Sequence, residues 1–167
     1  FYLDSEGKRS LKVKSFAGDD EKILLLEFKE LLEKFNQDKL TLVAHNGKEF
    51  DFPYLCRRML INQIELPSVL NIGGKKPWEI NHIDTLELWK FGDRKSYTSL
   101  ELLAAVFDIP TSKDDIDGSM VNEVYYQQRD LEKIACYCRK DVIVTAQLLL
   151  KLHNEPLINE DQVYIVN

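Results

Sequence analysis

Two short segments about ninety positions apart hold the residues best placed for chemistry: Asn46-Gly47-Lys48-Glu49-Phe50-Asp51 and Tyr137-Cys138-Arg139-Lys140-Asp141. Each sets a carboxylate beside an aromatic ring or a phenol hydroxyl. Carboxylate oxygens are hard ligands suited to small divalent cations. Two such acids, supported by rings that can face a base or sugar, suggest half of a metal site for cleaving phosphodiester bonds. The other half of such a site has no clear counterpart in the 167 residues.

Each acid also has a plainer reading. Asp51 stands just before Phe52-Pro53, where an aspartate can cap a helix and contribute about 1 kcal/mol. The two roles can coexist. Asp141 falls in the middle of a predicted helix, where aspartate is a poor helix former and no cap is needed. Tyr137 precedes it by one turn, so the phenol and carboxylate share a face at the edge of the apolar stripe. The plain alternative is a solvated Asp141 paired with Lys140 or Arg139, and a Tyr137 that belongs to the core.

The elements that must position these groups can be read from periodicity. Residues 1–3 and 11–16 flank a polar stretch and predict a hairpin. Gly18-Asp19-Asp20 offers a cap for a helix over 20–35, with Leu24, Phe28, Leu31 and Phe35 at helical spacing. Leu40–Ala44 predicts a short strand covered on both faces. The chain then turns at His45-Asn46-Gly47 and re-enters as a helix over 51–62, with Pro53 tolerated in its first turn. Ligand sites in α/β proteins often form at such a strand-to-helix handover.

Residues 63–82 are rich in breakers. Helices follow near 84–90 and 98–107, then a polar acidic loop over 110–118. A long helix over 130–152 carries Leu131, Ala135, Cys138, Val142, Thr145, Leu149 and Leu152 as its stripe. A strand is expected at 163–166. Strands first and helices later predict an α/β fold with a mixed sheet and helices on its faces.

Composition narrows the class. With 44% hydrophobic and 30% charged residues the chain has the profile of one globular domain rather than a disordered segment. No apolar run is long enough to span a bilayer. Cys56, Cys136 and Cys138 show no framework spacing, which fits a reducing cytoplasm. Cys136 and Cys138 face different directions on a helix and make a poor metal pair. The net charge of −6 argues against holding nucleic acid by a basic surface. It leaves room for an enzyme whose acidic residues are metal ligands.

The ordered pair Asn-x-x-x-Phe-Asp and Tyr-x-x-x-Asp resembles the second and third motifs of DEDDy-type 3′→5′ exonucleases, and most closely the proofreading-exonuclease-like domains related to family-B DNA polymerases. The text between them, Asn81-His82-Ile83-Asp84-Thr85-Leu86 through Phe107-Asp108-Ile109-Pro110, is also similar to that family's linker. The resemblance covers about residues 11–152. It implies a ribonuclease-H-like fold and two divalent cations, Mg²⁺ or Mn²⁺, held by four acids. Asp51 and Asp141 correspond to two of those metal ligands, and Tyr137 to the residue that orients the attacking water. Asn46 and Phe50 correspond to the pocket of the terminal nucleotide. The implied substrate is single-stranded nucleic acid, DNA in preference to RNA, cut one nucleotide at a time.

The first motif, Asp-x-Glu on a core strand, is not matched in context. Asp4-Ser5-Glu6 has the letters but stands at a hairpin tip. The expectation is an N-terminally truncated domain whose true pair lies upstream, so that residues 1–167 alone bind metal poorly and are inactive. The rival reading is a non-catalytic nucleic-acid-binding or protein-interaction domain on the same fold. Two aromatic and basic stretches, Lys75-Lys76-Pro77-Trp78 and Trp89-Lys90-Phe91 with Arg94, Lys95 and Tyr97, can hold a single strand. Their plainer reading is core aromatics with solvated charges between them. Asp84 is expected as the cap of the helix that follows it. Asp114, Asp115 and Asp117 are expected in a solvated turn without a calcium-loop pattern.

Overall fold

Alternation in the second strand decides the first packing layer. In the computed structural model, which describes residues 2–3 (backbone), 9–36, 38–93, 95, 97–111, 116 and 118–166, Leu11 and Val13 of that strand are buried while Lys12 and Lys14 point outward. The elements run β1 (Tyr2–Leu3), β2 (Arg9–Lys14), α1 (Glu21–Glu33), β3 (Val43–Ala44), α2 (Asp51–Ile61), β4 (Ile83–Asp84), α3 (Thr85–Lys90), α4 (Leu100–Val106), α5 (Val121–Glu123), α6 (Leu131–Leu152) and β5 (Val163–Val166). They fall into two compact units, Phe1–Ala17 with Tyr97–Asn167, and Gly18–Ser96. Asp4, Glu6, Arg94, Asp114, Asp115 and Asp117 lie outside the described residues.

In the first unit β1 pairs antiparallel with β2, and β5 pairs parallel with β2 on its other edge, with Leu11 opposite Val163. Leu11 and Val13 pack with Ala146, Leu150 and Ile158. The buried amide of Gln147 pins the segment leading to β5, donating to the Ile158 carbonyl at 2.7 Å and accepting its N–H at 2.9 Å. Asp130 caps α6 through the N–H of Lys133. The stripe expected on α6 is rotated: Cys138 and Val142 are exposed, and Ala135, Val144, Ala146, Gln147, Leu148 and Leu150 are buried. The C-terminal half of α6 is apolar nearly all round, so which face is covered is decided by β2. A π-helical turn at Val124–Gln128, after α5, had no sequence signal.

In the second unit Leu25 and Leu32 of α1 pack with Met59, Ile64, Val69 and Leu70. Of the expected row Leu24, Phe28, Leu31 and Phe35, Phe28 packs against this core, Leu24 and Leu31 give way to their neighbours Leu25 and Leu32, and Phe35 is exposed. Ile23 to Leu26 and Leu31-Leu32 are apolar runs that fit two helical faces. Packing on α2 and the segment after it selects the Leu25–Leu32 face; alongside it Arg58 on α2 grips Glu21 on α1 in a two-pronged contact, joined by Asn62 Nδ2 at 3.0 Å. These donors pull the Glu21 carboxyl down to about 2. Only Val43–Ala44 of the expected strand 40–44 forms a ladder, parallel to β4 with Ala44 opposite Asp84. Its residues are half-buried rather than covered on both faces. β4 went unnoticed in the sequence because a two-residue strand is too short for periodicity. The described residues thus form an α/β structure with two small sheets, one in each unit.

His82 sits just before β4, 7% exposed, its ring tilted against Phe52 at 4.9 Å. Its Nε2–H donates to the Val69 carbonyl at 2.9 Å, and Nδ1 is buried without a hydrogen-bond partner. Burial lowers its pKa, and Lys48 and Lys75 lower it further against the opposing effect of the Val69 carbonyl. The unfolded chain therefore binds this proton more readily than the fold does. The expected result is stability that is full above about pH 6.5 and falls as pH drops below it. Urea melts of wild type and His82→Gln should show that slope in the first and not in the second, because glutamine cannot take up the proton.

Candidate active site

The left-handed turn after β3 is the structural origin of the site in the second unit. Asn46 adopts φ 63°, a conformation that asparagine tolerates better than most residues. Gly47 follows at a point of close approach: a Cβ there would lie 2.3 Å from Ala44 Cβ and 3.3 Å from both Asp51 Oδ2 and Phe52 Cζ. The turn then feeds α2 through N–H bonds from Phe50 to the Asn46 carbonyl (3.1 Å) and from Phe52 to the Gly47 carbonyl (2.9 Å). Asn46, Phe50 and Asp51 are gathered by this one loop.

Asp51 is the first residue of α2, and the cap position is Phe50, with no side-chain cap bond. The plain reading of Asp51 as the helix cap is thereby corrected. The turn delivers the backbone one residue earlier than an Asp cap requires. The carboxyl is half-buried and its pKa is raised, by burial first; a hydrogen bond from its own backbone opposes that shift, the Asp84 carboxylate adds to it and His45 works against it. A half-buried acid beside a second acid is an environment that a bound cation relieves.

Asp84 is the residue whose weight sequence reasoning underestimated. It caps α3 as expected, through the Leu86 N–H at 3.0 Å. It also accepts the N–H of Asn46 at 2.9 Å and of Lys48 at 3.0 Å, and is only 3% exposed. The signal available in the sequence was an aspartate directly after His82-Ile83 and before a helix, which reads equally well as a cap. Beside it Thr85 Oγ1 meets His45 Nδ1 at 2.9 Å and donates to the Ala44 carbonyl at 3.3 Å. An open cleft of about 410 Å³ adjoins the loop, lined by Asn46, Glu49, Asp84, Glu87 and Lys90 among others. Lys48 pairs with Glu87 across 2.7 Å.

Phe50 and Tyr54, one turn apart on the exposed side, hold their rings 5.8 Å apart and 14° from parallel. Phe50 is 63% exposed. Trp78 and Phe91 are 77% and 89% exposed, and Tyr97 is exposed as well, which corrects the reading of these stretches as core. Phe91 is turned outward by its own left-handed backbone at the end of α3, φ 46°. Lys76 Nζ lies 5.3 Å from the Trp78 ring centre.

In the first unit Tyr137 and Asp141 stand one turn apart on α6, both half-buried. A Cβ added at Gly118 would lie 3.9 Å from Tyr137 Oη, which places the phenol hydroxyl beside that loop. Arg139, a candidate partner for Asp141, turns its guanidinium to Glu132 and, at 3.2 Å, to Ser15 Oγ. The three cysteines are free thiols. Among the described residues no three His, Cys, Asp or Glu side chains converge as a complete metal cage. Among the same residues no helix is long and apolar enough to cross a membrane.

The Asn-x-x-x-Phe-Asp loop thus stands at a strand end in the second unit, and the Tyr-x-x-x-Asp pair on a long helix in the first. The chain belongs to the family described as a predicted 3′–5′ exonuclease related to the exonuclease domain of PolB, which it matches over residues 2–160. No curated protein matches it.

Proposed function

We propose that this protein is a metal-dependent 3′→5′ exonuclease that trims single-stranded nucleic-acid ends, DNA in preference to RNA, in a reducing cytoplasm. The observation that carries the reading is the Asn46–Asp51 loop: its half-buried acid does not cap its helix and is crowded by a second carboxylate. Family membership over nearly the whole chain supports the same activity.

Asp51 and Asp141 supply carboxylate oxygens suited to Mg²⁺ or Mn²⁺, the donor chemistry such ions prefer. Such cations, when bound, would supply Lewis-acid activation of water and charge stabilisation at the phosphate. Tyr137 holds and orients the attacking water through its hydroxyl. Asn46 contacts the terminal nucleotide, and the exposed face of Phe50 stacks on its base.

The test is a 5′-labelled single strand incubated with the full-length gene product and Mg²⁺ or Mn²⁺. A ladder shortening from the 3′ end in single-nucleotide steps is expected. Tight strand binding without shortening would instead favour a non-catalytic binding domain. Phe50→Ala should raise KM by roughly 5- to 150-fold, the range expected for one lost base stack of about 1–3 kcal/mol, with a smaller effect on kcat.

A further inference from the structure

We propose that Asp84 is a positioning residue for the catalytic loop, acting through the backbone of Asn46 and Lys48 rather than by touching substrate or metal. The proposal rests on the exonuclease reading for its functional consequence and on the local hydrogen bonds for its mechanism. The two oxygens of Asp84 have different duties. Oδ1 accepts from Leu86 N–H at 3.0 Å and from Asn46 N–H at 2.9 Å. Oδ2 accepts from Lys48 N–H at 3.0 Å. One oxygen therefore caps α3 and holds the start of the loop, and the other latches its middle.

The latch reaches Asp51 in two short steps. Asn46 is held at φ 63°, and its carbonyl receives the Phe50 N–H. Gly47, between the two latched residues, receives the Phe52 N–H through its carbonyl. Phe50 and Phe52 bracket Asp51, so the orientation of that carboxyl follows from where residues 46–48 are fixed. Helix capping alone would need only the Leu86 bond, and an exposed serine or asparagine supplies that commonly. A carboxylate buried to 3% exposure and receiving three backbone N–H groups does more than cap. Ionised oxygens bind such donors more strongly than neutral ones.

Asp84→Asn separates the duties. Its carbonyl oxygen can keep the Leu86 and Asn46 bonds, while its NH₂ group faces the Lys48 N–H, donor against donor. The expected result is a melting temperature close to wild type and amide exchange at Lys48 faster by at least roughly tenfold, with Leu86 unchanged. In the 3′-end assay kcat should fall on the order of 10- to 100-fold, the penalty of a small misplacement, with KM moving much less. Should the asparagine variant melt well below wild type, Asp84→Ser carries the same test, because its hydroxyl caps α3 but does not reach Lys48. Unchanged exchange at Lys48 overturns the proposal, as does a loosened loop with kcat unaltered. If the wild-type protein does not shorten the strand, the exonuclease reading fails, and the positioning role falls with it. The exchange contrast between Lys48 and Leu86 then reports separately on the latch.

Discussion

Asp51→Asn should abolish strand shortening while leaving the protein folded and no less stable. The loss is expected to be on the order of a thousandfold in kcat, equivalent to about 4 kcal/mol of transition-state stabilisation. Removing a metal-ligand carboxylate takes away both the cation and the charge stabilisation it brings. The stability arm has the opposite sign for a reason visible in the site. Burial and the neighbouring Asp84 raise the Asp51 pKa, so the folded state favours the protonated acid more than the unfolded chain does. Wild-type stability is therefore drawn down as pH rises through the window above about 3.9, the ordinary aspartate value. The neutral amide removes that cost. Activity measured with Mg²⁺ and thermal melts of the same preparation decide the matter. A variant that loses activity and melts lower would point to a structural role. Asp141→Asn should lose activity to a similar extent.

Gly47→Ala should be the most damaging substitution of a single small residue. The added Cβ meets Ala44 Cβ at 2.3 Å, and both atoms are held directly by backbone. Neither can rotate away, so the β3-to-α2 turn must open. Overpacking of this kind costs about 1–3 kcal/mol, which corresponds to a melting temperature lower by roughly 2–12 °C for a chain of this size. The same shift displaces Asn46 and Asp51, and a misplacement near 1 Å costs roughly a hundredfold in rate. Gly73→Ala is the control: its Cβ meets nothing within 4 Å. Matched melts and rates for the two variants are the measurement. Equal behaviour of the two would show that the turn yields easily.

Much of the architecture was legible because it depends on local signals. The caps Asp20, Asp84, Ser99 and Asp130 fall where the sequence expects helices to start. The strand expected at 11–16 forms as Arg9–Lys14, with Leu11 and Val13 buried in alternation. The long helix α6 and the strand β5 were equally plain. The pair of motifs was legible as ordered text, and the family match over residues 2–160 spans both of them.

Other features were settled only when elements met. Which apolar face of α1 is covered depends on its packing partners Met59, Ile64, Val69 and Leu70, which a helical period does not encode. The exposure of Trp78 and Phe91 follows from a turn and a left-handed residue, where hydrophobicity alone suggested burial. Asp84 shows the difference most clearly. One of its bonds, to Leu86, lies two residues away, while the bonds to Asn46 and Lys48 cross 38 and 36 positions. Short-range capping can be read from neighbouring letters. A carboxylate that orders a distant loop owes that role to the parallel pairing of β3 and β4, which exists only in the folded chain.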